Sequence, residues 1–356
     1  MRAAVFVGAG EPVEVAELSP TAVGPHEVLV ETKASGICHS DAALMAAPAG
    51  TLPTPLVLGH EGAGVVMEVG REVRDLHVGD RVIASWVPSC RECFWCIRGQ
   101  ANLCPSFSLG SERAFWSLAD GTPVHTQLGI GTMAELMLGH ERSFVRVETD
   151  LPDEELALVG CGVATGALAA MRAAPVTPGS SVAVFGCGGV GTSVIQGARI
   201  AGAVTIIAVD SVELKRETAS RLGATHTIDS TAVDPVEAVR ELTEGRGVDV
   251  AFEAGGGRET ATWAVEAARH GGTAVCVGGG TPSLKNVSLF QPKTVKWTKY
   301  GDADPRRDFP MLVAMAENGM LDLTVAVSRR IRLDEVVDGF EAMERGEVIR
   351  SVIVLP

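Results

Sequence analysis

Ser181-Val182-Ala183-Val184-Phe185-Gly186-Cys187-Gly188-Gly189-Val190-Gly191 decides the fold of the second half of this chain. After Ser181 the first residues are an apolar run, β-branched at Val182 and Val184 and without alternation, as in a strand covered on both faces. The next six are a G-x-G-x-x-G, and Val190 to Ala201 follows at helical length. Alone the glycine pattern is weak; between a strand and a helix it reads as a dinucleotide cradle. Gly186 permits the tight turn, Gly188 lets a pyrophosphate approach the backbone, and Gly191 lets helix and strand pack closely. Gly189 and Val190 open the helix whose N-terminus faces the phosphates. Asp210 ends the next apolar run, Val204–Val209, 19 residues after Gly191. A carboxylate there accepts the ribose hydroxyls of NAD and repels the 2′-phosphate of NADP. Lys215 stands ready to support the ribose. Further strands at Val248–Phe252 and Thr273–Val277 alternate with helical stretches at Ser211–Leu222 and Glu259–Arg269, so the spacing predicts an α/β doubly wound parallel sheet.

Outward from this core the texture changes. Glu27–Thr32 alternates apolar and polar residues, and Gly62–Gly70 and His77–Ala84 read as further short strands with turns. The first third is therefore a β-rich, barrel-like domain. At 356 residues the chain has room for about two domains. Apolar residues make up 46% and charged residues 21%, which excludes wholesale disorder. With 30 basic against 44 acidic residues the net charge is −14, which argues against nucleic acid or an anionic membrane as partner. The start, Met1 to Gly8, reads as no secretory leader, and no apolar run is expected to reach the roughly 18–20 residues of a membrane span.

Eight cysteines remain to be placed. In a chain expected in the cytoplasm, clustered thiols read as metal ligands or redox centres before disulfides. Cys90-x-x-Cys93-x-x-Cys96-x7-Cys104 puts four thiolates within reach of one tetrahedral Zn²⁺ with no open position, a structural site. The lobe holds Arg91 and Arg98 beside Glu92 and makes a poor DNA-binding finger. Cys38, Gly59-His60-Glu61 and Cys161 offer two thiolates and an imidazole, a set that suits Zn²⁺ with one position left open. Nothing in their spacing brings these three together, and singly each reads as readily as a packing residue.

Taken in order, these features resemble the zinc-containing medium-chain dehydrogenases/reductases, in particular the class I/III-like zinc alcohol dehydrogenases. The resemblance spans essentially the whole chain. It rests on Gly36-Ile37-Cys38-His39-Ser40-Asp41, Gly59-His60-Glu61-Gly62-Ala63-Gly64, the four-cysteine lobe, Gly160-Cys161-Gly162-Val163-Ala164-Thr165-Gly166, the glycine loop and Arg350. It implies a GroES-like catalytic domain over 1–162 and 304–356, with a zinc lobe at about 88–106, and a Rossmann NAD-binding domain over 163–303. It implies a catalytic Zn²⁺ on Cys38, His60 and Cys161, with Glu61 just behind the metal. Asp41 would hold the other nitrogen of His60. Ser40 would bond the substrate hydroxyl and begin the proton relay. Thr165 would line the nicotinamide site, and His39 and Arg350 would contact the pyrophosphate.

The resemblance further implies reversible hydride transfer between an alcohol and NAD⁺, giving an aldehyde or ketone. Trp86 would narrow the pocket in favour of primary alcohols, with Leu103 and Leu109 along the same channel. Ala43 stands where relatives carry a relay histidine, so the proton would leave through Ser40, the cofactor ribose and solvent, or with help from His39. His39 itself stands where arginine is frequent. The long stretch from Cys104 to Cys161 suggests a homodimer. Within the family, oxidation of thiol adducts of formaldehyde and a nicotinoprotein that retains its NAD are the alternatives. A zinc-free reductase would lack Cys38, His60 and the lobe. A non-enzymatic zinc-bearing protein would tolerate a damaged triad. Of the two remaining thiols, Cys187 reads as oxidation-sensitive and Cys276 as packing.

Overall fold

The computed structural model describes residues 1–108, 113–174, 176–285 and 287–356. It divides into two compact units, one of Met1–Cys161, Asp304–Glu317 and Ala326–Pro356, the other of Gly162–Ala303 and Asn318–Val325. Asn318–Val325, expected with the first unit, thus groups with the second. The cause is local: the Gln196 side chain accepts from the Asp322 N–H at 2.7 Å and donates to the Asp322 carbonyl at 3.0 Å. Val325 also packs on the apolar cluster around Val182 and Val194.

The first unit is built on a six-stranded and a seven-stranded sheet. Its central strand, Glu27–Gly36, alternates half-buried and buried residues along most of its length, four residues beyond the expected end. It pairs antiparallel with Glu61–Val69 and with Arg350–Val354. The register sets Gly36 opposite Glu61 on one side and Val352 on the other. Cys38, His60, Glu61 and Arg350 therefore leave three neighbouring strands at one end of the sheet.

The second unit holds a six-stranded sheet in the order His226–Asp229, Thr205–Asp210, Ser181–Phe185, Val248–Glu253, Ala268–Cys276, Thr294–Trp297. Every pair in it is parallel. Val182 and Val184 feed one apolar cluster, and Ala183 and Phe185 feed another. Alternate side chains point to opposite faces, and both faces are covered, which is why Ser181–Phe185 shows no alternation. The chain order reverses on either side of that central strand. This switch point is where doubly wound sheets open a ligand crevice at their carboxyl ends.

The helical stretch Asp153–Ala173 is long and apolar enough to cross a membrane by length and composition. Its most apolar window is 89% buried inside the protein, so that apolar surface is core.

Candidate active site

Two groups of metal-ligating side chains stand out among the described residues. The first is the lobe. Cys90 Sγ lies 3.9 Å from Cys96 Sγ, and Cys93 Sγ lies 3.9 Å from Cys104 Sγ. A tetrahedron with zinc–sulfur bonds of about 2.3 Å has edges of about 3.8 Å, whereas a disulfide needs about 2.05 Å. The sulfurs fit the ion. Two backbone N–H groups support them: Cys90 donates to Cys104 Sγ and Cys93 to Cys90 Sγ, both at 3.3 Å. Such bonds favour the thiolate; the Glu92 N–H and Cys93 bring the Cys90 thiol down to about 6, against the cost of burial.

In the second group, ligand atoms of Cys38, His60, Glu61 and Cys161 all lie within 4.8 Å of one another, and all four residues are buried. Local structure explains each placement. Cys38 caps the N-terminus of the short helix His39–Met45. Gly59, in the left-handed region at φ +96°, turns the chain so that His60 enters from the start of its strand. A side chain there would strike Thr132 Oγ1 at 2.5 Å and the Met133 nitrogen at 2.7 Å. Cys161 sits in a widened π turn, Val159–Val163, a feature frequent at functional sites. Gly160 lets that turn close on the Ala84 carbonyl, 2.6 Å from where its β-carbon would lie.

Asp41 organises the centre. One carboxylate oxygen lies 2.8 Å from His60 Nδ1, and the other accepts the Cys38 N–H at 2.9 Å. Nδ1 is thereby the protonated nitrogen, which leaves the lone pair of Nε2 free for a metal ion. Hydrogen bonding from Cys161, against burial and with help from Arg350, holds the Cys38 thiol well below its ordinary value. Burial pushes the Glu61 carboxyl up to about 7, while Arg350 and His60 pull it down. Two thiolates and an imidazole, with a carboxylate behind, are the donor set of an open Zn²⁺ position.

The other expected residues fall as follows. Ser40 Oγ is 3.7 Å from Cys38 Sγ, and Ser40 and His39 are both exposed. Arg350, expected at the pyrophosphate, donates to Cys38 Sγ at 3.6 Å, with its Nε 3.6 Å from Glu61 Oε2. Trp86 is half-buried and packs on the cluster that holds Val82, Ala84 and Phe144. Leu103 lies exposed in the lobe turn Ala101–Leu103, and Leu109 is outside the described residues. Gln127 was not anticipated: it is buried and bonds Asp41 and Gly59. No motif announces it, since its partners lie far away in sequence.

In the second unit the loop has the expected shape. Gly186 adopts φ +94°, and the helix Gly189–Ile200 starts directly after Gly188. A β-carbon on Gly191 would fall 1.8 Å from the Gly186 carbonyl oxygen, whereas one on Gly188 would meet nothing within 4 Å. Gly191 is thus packed and Gly188 faces open space, a cradle that admits a pyrophosphate. The Asp210 carboxylate accepts the Cys187 N–H at 2.7 Å and the Val212 N–H at 2.9 Å, which ties the loop to the end of its strand. Lys215 is half-buried on the helix Glu213–Arg221. Thr165, on the helix Ala164–Leu168, is buried, and its hydroxyl has no hydrogen-bond partner among the described residues. Cys187 departs from expectation: it is fully buried, and burial raises its thiol, the opposite of an oxidation-prone thiolate. Cys276 is buried, as a packing residue should be.

Comparisons with known proteins agree. Residues 24–149 match the alcohol dehydrogenase GroES-like domain, and 189–318 match the zinc-binding dehydrogenase family. The chain is 35% identical to an S-(hydroxymethyl)glutathione dehydrogenase of Paracoccus denitrificans, over 99% of each chain. It is 37% identical to an NDMA-dependent alcohol dehydrogenase of Amycolatopsis methanolica, over 99% of this chain and 98% of that one. Among solved structures, benzyl alcohol dehydrogenase of Acinetobacter calcoaceticus superposes with a TM-score of 0.89 at 32% identity, covering 100% of this chain and 99% of that one. Two cysteine-built metal centres, a dinucleotide cradle and full-length likeness to dehydrogenases have one explanation: this chain belongs to the zinc-containing alcohol dehydrogenases of the medium-chain dehydrogenase/reductase family.

Proposed function

We propose that this protein oxidises primary alcohols to aldehydes with NAD⁺, and runs the reverse reduction, using the centre of Cys38, His60 and Cys161. The observation that carries this reading is the convergence of those three side chains, with Glu61, within 4.8 Å. Bound there, Zn²⁺ supplies a Lewis acid that makes an alcohol hydroxyl more acidic, and NAD⁺ supplies a hydride acceptor at its nicotinamide. The chain's own groups do the rest. Asp41 fixes the His60 ring. Ser40, exposed beside Cys38, accepts the hydroxyl proton and passes it toward solvent, with Ala43 offering no relay group. Thr165 offers a free hydroxyl to the nicotinamide. The backbone at Gly188–Gly191 takes the pyrophosphate, and Asp210 takes the ribose. The four-cysteine lobe has no open position and is structural.

The preference for primary alcohols rests on the relatives: benzyl alcohol and an S-hydroxymethyl adduct each carry a CH₂OH group. The S-(hydroxymethyl)glutathione dehydrogenase likeness also favours a second reading, oxidation of a formaldehyde–thiol adduct. A panel of primary, secondary, aromatic and thiol-adduct substrates, with NAD⁺ and NADP⁺ and NADH absorbance as readout, decides between them. Secondary alcohols winning on kcat/KM would overturn the first reading.

The homodimer is part of the same proposal. The strand Thr294–Trp297 ends the parallel sheet, and Trp297 in it and Leu289 and Phe290 shortly before it in the chain are exposed. An open edge with apolar flanks suits pairing with a second copy. Sedimentation of Phe290→Glu should show monomer where the parent shows dimer. The eight cysteines, unpaired in the structure, support a cytoplasmic setting.

A further inference from the structure

Gln127 lies on the turn that follows the strand Pro123–Thr126, and its side chain is buried. Its amide orientation follows from its partners. The Gly59 N–H can only donate, and Gln127 Oε1 accepts it at 2.8 Å. Nε2 therefore faces the other way and donates to Asp41 Oδ1 at 2.7 Å. The same Oδ1 accepts from His60 Nδ1, so two donors converge on one oxygen and stand 3.2 Å apart. The second Asp41 oxygen takes the Cys38 N–H.

One amide thus joins two segments that deliver metal ligands, Gly59–His60 and Cys38–Asp41. It holds the glycine turn immediately before His60, and it holds the carboxylate that orients both His60 and the backbone of Cys38. Leu128, the next residue, takes φ +52°, ψ +26°. A leucine rarely adopts that conformation, and it persists only where the surroundings over-determine it. This left-handed residue turns the chain directly after Gln127.

We infer that Gln127 is a positioning residue of the catalytic zinc centre, holding Asp41 and the approach to His60 so that Cys38, His60 and Cys161 converge on one ion. It touches no ligand sulfur and acts through Asp41 and Gly59. This rests on the proposal that those three residues hold zinc.

The test uses the intact zinc-loaded protein and a colorimetric zinc chelator. The wild type should release two ions per chain in two phases. Cys161→Ser should lack the phase that belongs to the catalytic centre, which assigns both phases. Gln127→Met, equal in length and without hydrogen bonds, should accelerate that phase about 10–100-fold and leave the four-cysteine phase unchanged. Gln127→Glu keeps the volume and sets a second carboxylate against Asp41; it should accelerate the same phase and only that phase. A residue that merely fills space would lower the melting temperature and spare zinc release. Either variant, folded by circular dichroism and releasing both ions at wild-type rates, overturns the inference. Should Gln127→Met fail to fold, Gln127→Glu decides. A wild type with a single zinc, or Cys161→Ser retaining two, sinks the zinc reading itself and is a distinct result.

Discussion

Replacing Gly191 by alanine should damage NAD binding while sparing both metal centres. The added β-carbon would lie 1.8 Å from the Gly186 oxygen and 2.8 Å from its carbon. Ordinary carbon–oxygen contact begins at about 3.3 Å, so roughly 1.5 Å must be recovered. Gly186 cannot retreat. Its N–H is held by the Val209 carbonyl at 2.9 Å, and it has Gly255 close behind, 2.6 Å from where its own β-carbon would lie. The helix Gly189–Ile200 must therefore lift, and the N–H groups at its start leave the place where a pyrophosphate would be bound. Overpacking of this kind costs about 1–3 kcal/mol of stability. Losing one hydrogen bond to a charged group costs a further ~1.5–3 kcal/mol of binding, which is about 10–150-fold in Kd. Fluorescence titration with NADH reads the affinity, thermal unfolding reads the stability, and metal analysis serves as control. An alanine variant with wild-type melting and a Kd within about twofold would refute the argument, since the loop would then have slack that the 1.8 Å approach denies.

Three further outcomes follow from the same geometry. Asp210→Asn removes the charge that repels a 2′-phosphate; the NADP⁺ to NAD⁺ ratio of kcat/KM should rise about tenfold or more, equivalent to about 1.4 kcal/mol. Cys104→Ser takes one corner from the four-sulfur cage, so zinc should fall by one per chain and the lobe around Cys90–Cys104 should become the first site of limited proteolysis. His39→Arg adds a cation at an exposed helix start beside Cys38; NAD(H) affinity should rise by up to about fivefold, the worth of an exposed ion pair, and an unchanged Kd would remove His39 from the cofactor site.

Much of this was legible in the chain because the signals are local. The strand Ser181–Phe185, the glycine loop and the following helix lie within twenty residues, and each glycine answers a steric demand that shows in the structure. The four-cysteine lobe likewise spans fifteen residues. Cys38, His60 and Cys161 are different. Their convergence depends on the pairing of Glu27–Gly36 with Glu61–Val69 and on the turn at Val159–Val163, so only the family resemblance anticipated it. The bonds of Arg350 to Cys38 and of Gln127 to Asp41 escape a reading of the sequence for the same reason. Arg350 reaches Cys38 across 312 positions and Gln127 reaches Asp41 across 86, distances over which no periodicity carries information. Cys187 was misjudged because a thiol in a glycine loop reads as exposed, whereas its side chain turns into the sheet cluster with Val184 and Ile206. The strands His226–Asp229 and Thr294–Trp297 went unseen because they are short and close the sheet at its edges, where half-exposed residues blur the pattern.

The central claim is that Cys38, His60 and Cys161 hold the zinc on which NAD-linked alcohol oxidation depends. The most direct measurement is alcohol-dependent NADH formation, together with metal content, in the wild type and in His60→Ala. The wild type should hold two zinc ions per chain and form NADH steadily from a primary alcohol. His60→Ala should hold one zinc ion, on the four cysteines, and form no alcohol-dependent NADH, while NADH still binds. Equal rates of NADH formation in the two proteins, or equal zinc content, would contradict the claim.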